Sequence, residues 1–201
     1  MKGNYSLPTI GGLRVNEISQ IAELFEEQGI WDKVRSTYYE TNISQTSKNA
    51  TAKRYFSYMK GIITSWTDEE LKIFLLSSFD EKKNFIWLAF CRLFPIAADF
   101  ASTYVRKNTI NGQLQMNIED FRSYISKLVD SGKMEEPTKT VFGKGRSIIY
   151  KMLKEMGYYD GKTLQGGSLP SDFIKLVYSH NPEELHFFPI SDQAIKRGLN
   201  S

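Results

Sequence analysis

The sequence predicts an all-α fold, mainly helical with one small β-hairpin, and three observations carry that expectation. Apolar residues recur at helical spacing in segment after segment, and helix-capping residues stand at the heads of several of those segments. Alternating apolar and polar runs, the mark of a half-buried strand, are nearly missing. One tight-turn dipeptide, Asp160-Gly161, sits between short aromatic and aliphatic flanks and signals the hairpin.

Residues 7–13, "LPTIGGL", read as extended chain ending in a Gly-Gly turn. A helix is expected from about Val15 to Gln28, with Ile18, Ile21, Ala22 and Phe25 on one face and Gly29 closing it. A second runs from about Trp31 to Glu40, and a third from about Ala50 to Ser65 with Ser47 or Asn49 as its cap. Thr67 and Glu70 have the spacing of a capping box for a fourth helix, about Asp68 to Ser78. Asp80 is expected to cap a fifth, running to about Phe94, and Pro95 suits the first turn of a sixth that ends near Asn108. "NGQLQM" offers a turn and a short strand. Asn117 caps a seventh helix, Ile118 to Ser131, with Phe121, Ile125 and Leu128 inside. An eighth runs from about Thr138 to Met156 and is stopped by Gly157, and Pro170-Ser171-Asp172 opens a ninth. The tail, which contains "FFPI", is expected to be irregular. The whole reads as a compact helical bundle: residues 1–94 form an N-terminal helical subdomain and 95–201 a C-terminal one, packed as one body. The order helix, short strand, helix, helix, hairpin in the second half is that of a helix-turn-helix with a wing, so a winged-helix-like unit is expected there.

Composition narrows the function classes. The 13 Phe, 11 Tyr and 3 Trp are ample material for a core. The one cysteine, Cys91, lies in the apolar run "IWLAFCRLF", which excludes an intrachain disulfide framework and points to a buried, inert thiol. The greasiest stretch, residues 85–101, is interrupted by Arg92, Pro95 and Asp99, so it reads as buried core helices and not as a membrane span. No signal-peptide pattern opens the chain, and the expected location is cytoplasmic.

The net charge of +3 is too small to identify a nucleic-acid binder, but its distribution is uneven. Residues 41–66 carry Lys48, Lys53, Arg54 and Lys60 with no acid at all. Residues 138–162 carry six basic residues against Glu155 and Asp160. Acids gather elsewhere, in "ELFEEQ" and "TDEELK". Two basic islands on a near-neutral chain suggest two anion-facing surfaces.

The second island opens on "FGKGRS", which resembles a fragment of a phosphate-cradling loop. The spacing does not match, and no buried strand precedes it, so nucleotide binding by such a loop is set aside. At 100° per residue the segment is better read as an amphipathic helix. Val141, Gly145, Ile148, Ile149, Met152, Leu153 and Met156 share one face, with Gly145 permitting close packing. Thr140, Lys144, Ser147, Lys151 and Lys154 form a polar stripe opposite, and Lys162 sits at the tip of the following turn. The other island behaves alike: Lys53, Arg54, Ser57, Lys60 and Thr64 lie opposite an apolar face, and Ala50, Ser57 and Gly61 are small enough to let a phosphate backbone approach. Either stripe could equally be a plain solvated face. Lysines of this kind neutralise phosphates without reading bases. The candidate DNA-contacting residues are therefore Lys53, Arg54, Lys60, Lys144, Ser147, Lys151, Lys154 and Lys162. His180 and His186 are too few for a zinc site, and no grouping of nucleophile, base and acid suggests catalysis. No catalytic residue, metal or cofactor is expected.

Five segments also carry a resemblance: "TIGGLRVNEISQIAELFEEQGIWDKVR", "SWTDEELKIFLLSS", "FIWLAFCRLFPIAADFASTYVRKN", "GRSIIYKMLKEMGYYD" and "NPEELHFFPI". They resemble the BrxA family, a component of bacterial BREX phage-defence islands, over nearly the whole chain. The Gly-Gly-Leu followed by Asn16-Glu17, and the late Phe-Phe-Pro, are the most specific parts. The resemblance implies a small, mostly helical cytoplasmic protein that binds DNA, and it is also similar to NusB-like helical folds that bind RNA. Some members are labelled inner-membrane proteins, which the interrupted run does not favour. No motif of functional residues transfers from the family. Three classes follow: a duplex-DNA-binding accessory factor, an RNA-binding module, and an assembly scaffold for other BREX proteins.

Overall fold

The computed structural model describes residues 5–201, which form eleven α-helices with one π-helical and one 3-10 segment among them. The chain divides into two compact units. One is Ile10–Leu93, and the other is Phe94–Ser201 together with the described residues before Ile10.

The first unit holds α1 (Val15–Gln28), α2 (Trp31–Glu40), α3 (Asn49–Thr64), α4 (Asp68–Leu76) and α5 (Phe79–Leu93). Local chemistry sets their ends. Gly29 takes φ +66° and closes α1 by donating its N–H to Phe25. The Thr67–Glu70 capping box forms as the spacing requires: Glu70 N–H donates to Thr67 Oγ1 at 3.1 Å and Thr67 N–H donates to Glu70 Oε2 at 2.8 Å. Two caps differ from expectation. Asn49 is the first residue of α3 and Lys48 precedes it without a side-chain cap. At α5 the reciprocal bonds join Ser78 and Glu81, a Ser-x-x-Glu pair that starts two residues before the expected Asp80, which pairs with Lys83 instead.

Helix α5 packs against α1, α3 and α4, and from Asn84 to Cys91 every residue is buried. A helix buried all round needs its polar groups satisfied internally. Arg92, at its end, meets Glu70 in a two-pronged pair, with Nη2 to Oε1 at 2.7 Å and Nη1 to Oε2 at 2.8 Å. The same guanidinium donates to the Ser65 carbonyl at 2.9 Å. Glu70 therefore caps α4 and ties α3, α4 and α5 together while itself fully buried. Trp66 Nε1–H donates to the Phe85 carbonyl, and Tyr58 hydroxyl to that of Gly12.

In the second unit, α6 (Pro95–Phe100) runs through a π-helical segment, Ala101–Arg106, into α7 (Lys107–Ile110). Then follow α8 (Ile118–Asp130), α9 (Lys139–Glu155), α10 (Ser171–His180), a 3-10 turn (Pro182–Phe187) and α11 (Asp192–Asn200). The tail is thus ordered, contrary to expectation. Ser191 caps α11, Gly198 lets it lie against Ile174, and Arg106 reaches the Ile190 carbonyl and Asp192. Phe100 lies edge-on to Phe121 and stacks on Tyr104, forming the aromatic centre of this unit.

The expected β-hairpin does not form as a pair of strands. Tyr159 and Leu164 make one isolated antiparallel bridge, Gln115 and Thr163 another, and no strand occurs among the described residues. The chain reverses where the dipeptide placed it, with Gly161 at φ +113°. The pairing stops there because the Asp160 carboxylate collects the Lys162 and Thr163 N–H groups locally, and glycines 166 and 167 follow with nothing to pack. A wing of paired strands is accordingly not formed. Among the described residues no single helix is long and apolar enough to cross a membrane, because the apolar run breaks between Leu93 and Pro95.

Candidate nucleic-acid interface

Helix α9 is fixed at both ends by its own sequence. Thr138 Oγ1 accepts from Val141 N–H at its start. At its end Gly157, at φ +76°, donates to Lys154 while Tyr158 donates to Leu153, the two bonds of a Schellman stop. The Gly143-Lys144-Gly145 run lies inside this helix, so the phosphate-loop resemblance has no loop to support it.

One face of α9 is anchored. Gly145, Ile149, Met152 and Leu153 are buried, and Tyr150 hydroxyl donates to the carbonyl of Asn117, the cap of α8. Gly145 is the tightest point. A Cβ built there would stand 2.6 Å from Leu7 Cβ, so the glycine admits the N-terminal segment rather than another helix. Phe121 of α8 contacts the rings of Phe142 and Tyr150, which fixes the two helices as a pair.

The opposite face is open. Thr140, Lys144, Ser147, Lys151 and Lys154 are all exposed. From Lys144 to Lys154 the helix advances roughly 15 Å at about 1.5 Å per residue. Lys151 has a loose partner in Glu155 at 3.5 Å, an exposed pair of the kind that contributes little. Lys162 is exposed in the turn beyond α9, and its main chain is held on both sides: N–H to Asp160 Oδ1, and carbonyl to Met116 N–H. The Thr163 hydroxyl, and then the Thr163 and Lys162 N–H groups, hold the Asp160 carboxyl well below the usual carboxylate range. That turn is therefore a fixed platform for Lys162.

Lys53, Arg54 and Lys60 belong to the other unit, on α3. Lys53 and Arg54 are exposed. The Lys60 ammonium rests 5.0 Å from the Trp31 ring centroid, a cation–π contact that draws it towards α2. Ala50 and Ser57 are exposed as the spacing required. Gly61 is not an open point of phosphate approach, since a Cβ there would meet the Leu93 side chain of α5 at 3.3 Å. The eight candidates thus separate into five on α9 and its turn and three on α3.

Features other than charge are sparse. Among the described residues no group of three or more His, Cys, Asp or Glu is placed to hold a metal. His180 Nδ1 lies 2.9 Å from the Leu176 carbonyl at the end of α10, and Cys91 is buried. Sequence reasoning missed the role of Leu7 against α9 and of the Asp160 carboxylate in the turn. The second could have been found from the Asp-x-x-Thr spacing, whereas the first had no local signal.

The BrxA family model matches residues 5–181. Comparison with curated proteins gave no match. Among solved structures, a crystal structure of an uncharacterized protein from Magnetospirillum magneticum superposes with a TM-score of 0.76 at 18% identity, covering 88% of this chain and 93% of that one. At that identity the likeness speaks for the fold alone. None of these comparisons supports the NusB-like expectation. The match to the family model spans both units and most of the helices described above, and the chain belongs to the BrxA family.

Proposed function

We propose that this BrxA-family chain is a non-enzymatic accessory protein of a BREX phage-defence system that binds duplex DNA without strong sequence preference. In this reading α8 and α9 act as a helix-turn-helix pair and the 158–164 turn stands in for a reduced wing. The observation that carries it is the exposed Lys144–Lys151–Lys154 stripe, on a helix whose opposite face is locked into the core, beside a rigid turn that presents Lys162. Point-charge lysines neutralise phosphates, whereas arginines suited to two-pronged base contacts are few on this face. No metal or cofactor has a role in it.

The test is a salt series of gel shifts on duplex DNA, single-stranded DNA and RNA. If the four lysines each displace counterions, the slope of log K against log salt should be near about −3.6, at about −0.9 per phosphate. Changing Lys144, Lys151 and Lys154 together to Ala should remove about −2.7 of that slope and weaken every duplex sequence alike. Stability should change by under about 0.5 kcal/mol per substitution. A parallel Lys53→Ala/Arg54→Ala variant tests α3. If the folded variants of both stripes bind as the parent does, the DNA reading fails.

A second reading, a scaffold for other BREX proteins, is favoured by one feature of the first unit. Leu76 is 89% exposed at the α4–α5 turn, next to partly exposed Ile73, an apolar tip with no use in phosphate binding. Folded protein that binds no nucleic acid at any salt would leave this reading in possession.

A further inference from the structure

The first unit also contains a cleft of about 750 Å³ between α1, the 41–45 loop and the start of α5, and neither basic stripe lines it. Its size falls within the range of roughly 300–1,000 Å³ common for small-molecule sites. Its lining is mostly polar, and carboxamides dominate it. Asn16 and Gln20 stand one turn apart on α1, and Asn42 and Gln45 come from the loop opposite. Phe79 and Lys82, three apart on α5, complete the wall.

The cleft is built and held open by the fold. Asn42 and Gln45 occupy the left-handed region at φ +48° and +50°, which asparagine adopts readily but which is costly for Gln45 and persists there only where the surroundings fix it. The surroundings do so: Ile43 and Ser44 are buried, Ile43 N–H donates to Tyr38, Gln45 N–H to the Asn42 carbonyl, and Thr46 N–H to Asn42 Oδ1. Arg14 donates to the Ser44 carbonyl and pairs with Glu17 at 2.8 Å, so the one carboxylate on the wall is already countered. Lys82 is steadied over the Phe74 ring at 5.2 Å. Phe79 is 53% exposed at the cleft edge, with the Lys83 ammonium 5.2 Å from its ring centroid.

Carboxamides carry a paired donor and acceptor, the pattern that matches the N6/N7 edge of adenine. An exposed aromatic ring offers a stacking surface to any base, and a lysine offers a point charge to a phosphate. We propose that this cleft binds an adenine nucleotide, with the base against Phe79, its edge met by the carboxamides, and the phosphate at Lys82. The site is independent of the duplex-binding stripes. Its ligand chemistry is shared by a free nucleotide and by an unpaired nucleotide of a strand.

The experiment is an NMR titration of the full-length ¹⁵N-labelled chain with AMP, GMP, CMP, UMP, adenosine, oligodeoxyadenylate and maltose. AMP should shift the side-chain NH₂ signals of Asn16, Gln20, Asn42 and Gln45 saturably, at lower concentration than GMP, CMP, UMP or adenosine. Phe79→Ala should weaken AMP binding by about fivefold or more, the effect of losing a stacked base, with the remaining spectrum intact because the residue begins a helix and faces water. Lys82→Gln should abolish the preference for AMP over adenosine. Tighter binding of the oligonucleotide than of AMP assigns the site to a strand, and equal binding assigns it to the free nucleotide. The proposal is overturned by the absence of saturable shifts with every nucleotide, by unchanged AMP affinity in both variants, or by an equal response to maltose.

Discussion

Gly143 and Gly145 lie two residues apart in α9, and the fold predicts opposite effects for the same substitution. In the interior of a helix, Gly→Ala contributes up to about 1 kcal/mol of stability. At Gly143 a new Cβ meets nothing within 4 Å, so that gain should appear undiminished. At Gly145 it would stand 2.6 Å from Leu7 Cβ, 2.9 Å from Cδ2 and 3.0 Å from Cγ. The nearest of these atoms is bonded to the main chain, so no change of Leu7 rotamer relieves it and the N-terminal segment must retreat. Leu7 is 5% exposed, and the burial at risk is worth about 1.5–3 kcal/mol. Gly145→Ala should therefore destabilise by about 0.5–2 kcal/mol net, since the helix gain of about 1 still applies. The difference between the two variants removes the propensity term and isolates the clash, about 1.5–3 kcal/mol. Trp31, Trp66 and Trp87 all belong to the other unit, so tryptophan fluorescence is not a local reporter of it. Amide hydrogen exchange on residues 5–9 and α9 reads it directly. In a Leu7→Gly background, Gly145→Ala should become stabilising. If Gly145→Ala raises protection as much as Gly143→Ala, the N-terminal segment does not dock on α9 and the packing described above is wrong.

Three further outcomes follow from the same geometry. Glu70→Ala leaves Arg92 facing a vacated partner in the core and should cost about 3–5 kcal/mol, read by the tryptophan fluorescence of urea unfolding; a loss under about 1 kcal/mol would show that the pair is dispensable. Burial first, and then the Asp120 carboxylate, pushes the Tyr104 hydroxyl up to about 12, while burial raises Tyr124 and Tyr150 further. Since these folded values exceed the ordinary tyrosine value, their stabilisation is complete below about pH 10 and is lost as pH rises through about 12; phenolate absorbance rising at the ordinary tyrosine value for all of them would contradict it. Asp160→Ala should loosen the 158–165 turn and speed exchange of the Lys162 and Thr163 amides while α9 stays protected; unchanged exchange would mean that the carboxylate does not hold the turn.

The sequence announced elements whose ends are decided within a few residues. Gly29, the Thr67–Glu70 box and the Asn117–Asp120 box each close on a neighbour, so their helices were legible. The apolar stripes were legible for the same reason, and the exposure of Lys144, Lys151 and Lys154 follows from spacing alone. Failures came where a distant partner decides. The Asp160-Gly161 dipeptide announces a reversal, but strands need a second chain with side chains to pack, and here isolated bridges suffice. Helix α11 is short and gains its place from Ile174 and Arg106, neither of which is nearby in sequence. Gly61 looked like an open point because nothing in its own helix reveals Leu93. The left-handed turn at Gln45 has no compositional mark either, so the cleft it helps shape could not be read in advance.

Helix α9 uses its two faces for separate tasks, and this makes its charge and its anchoring experimentally separable. The Leu7–Gly145 contact acts on the buried side, the Tyr150–Asn117 bond on its flank, and neither carries net charge. The lysines act on the open side and touch nothing in the core. Changes on opposite sides with no shared partner should add in free energy to within about 0.3–0.5 kcal/mol. A Gly145→Ala chain should thus lose stability while its salt slope for DNA stays as in the parent. The triple lysine variant should lose slope while its hydrogen exchange stays as in the parent. Were the lysine variant instead to alter protection along α9, the stripe would be part of the scaffold, and the α3 stripe or the apolar Leu76 tip would become the better candidate for the protein's working surface.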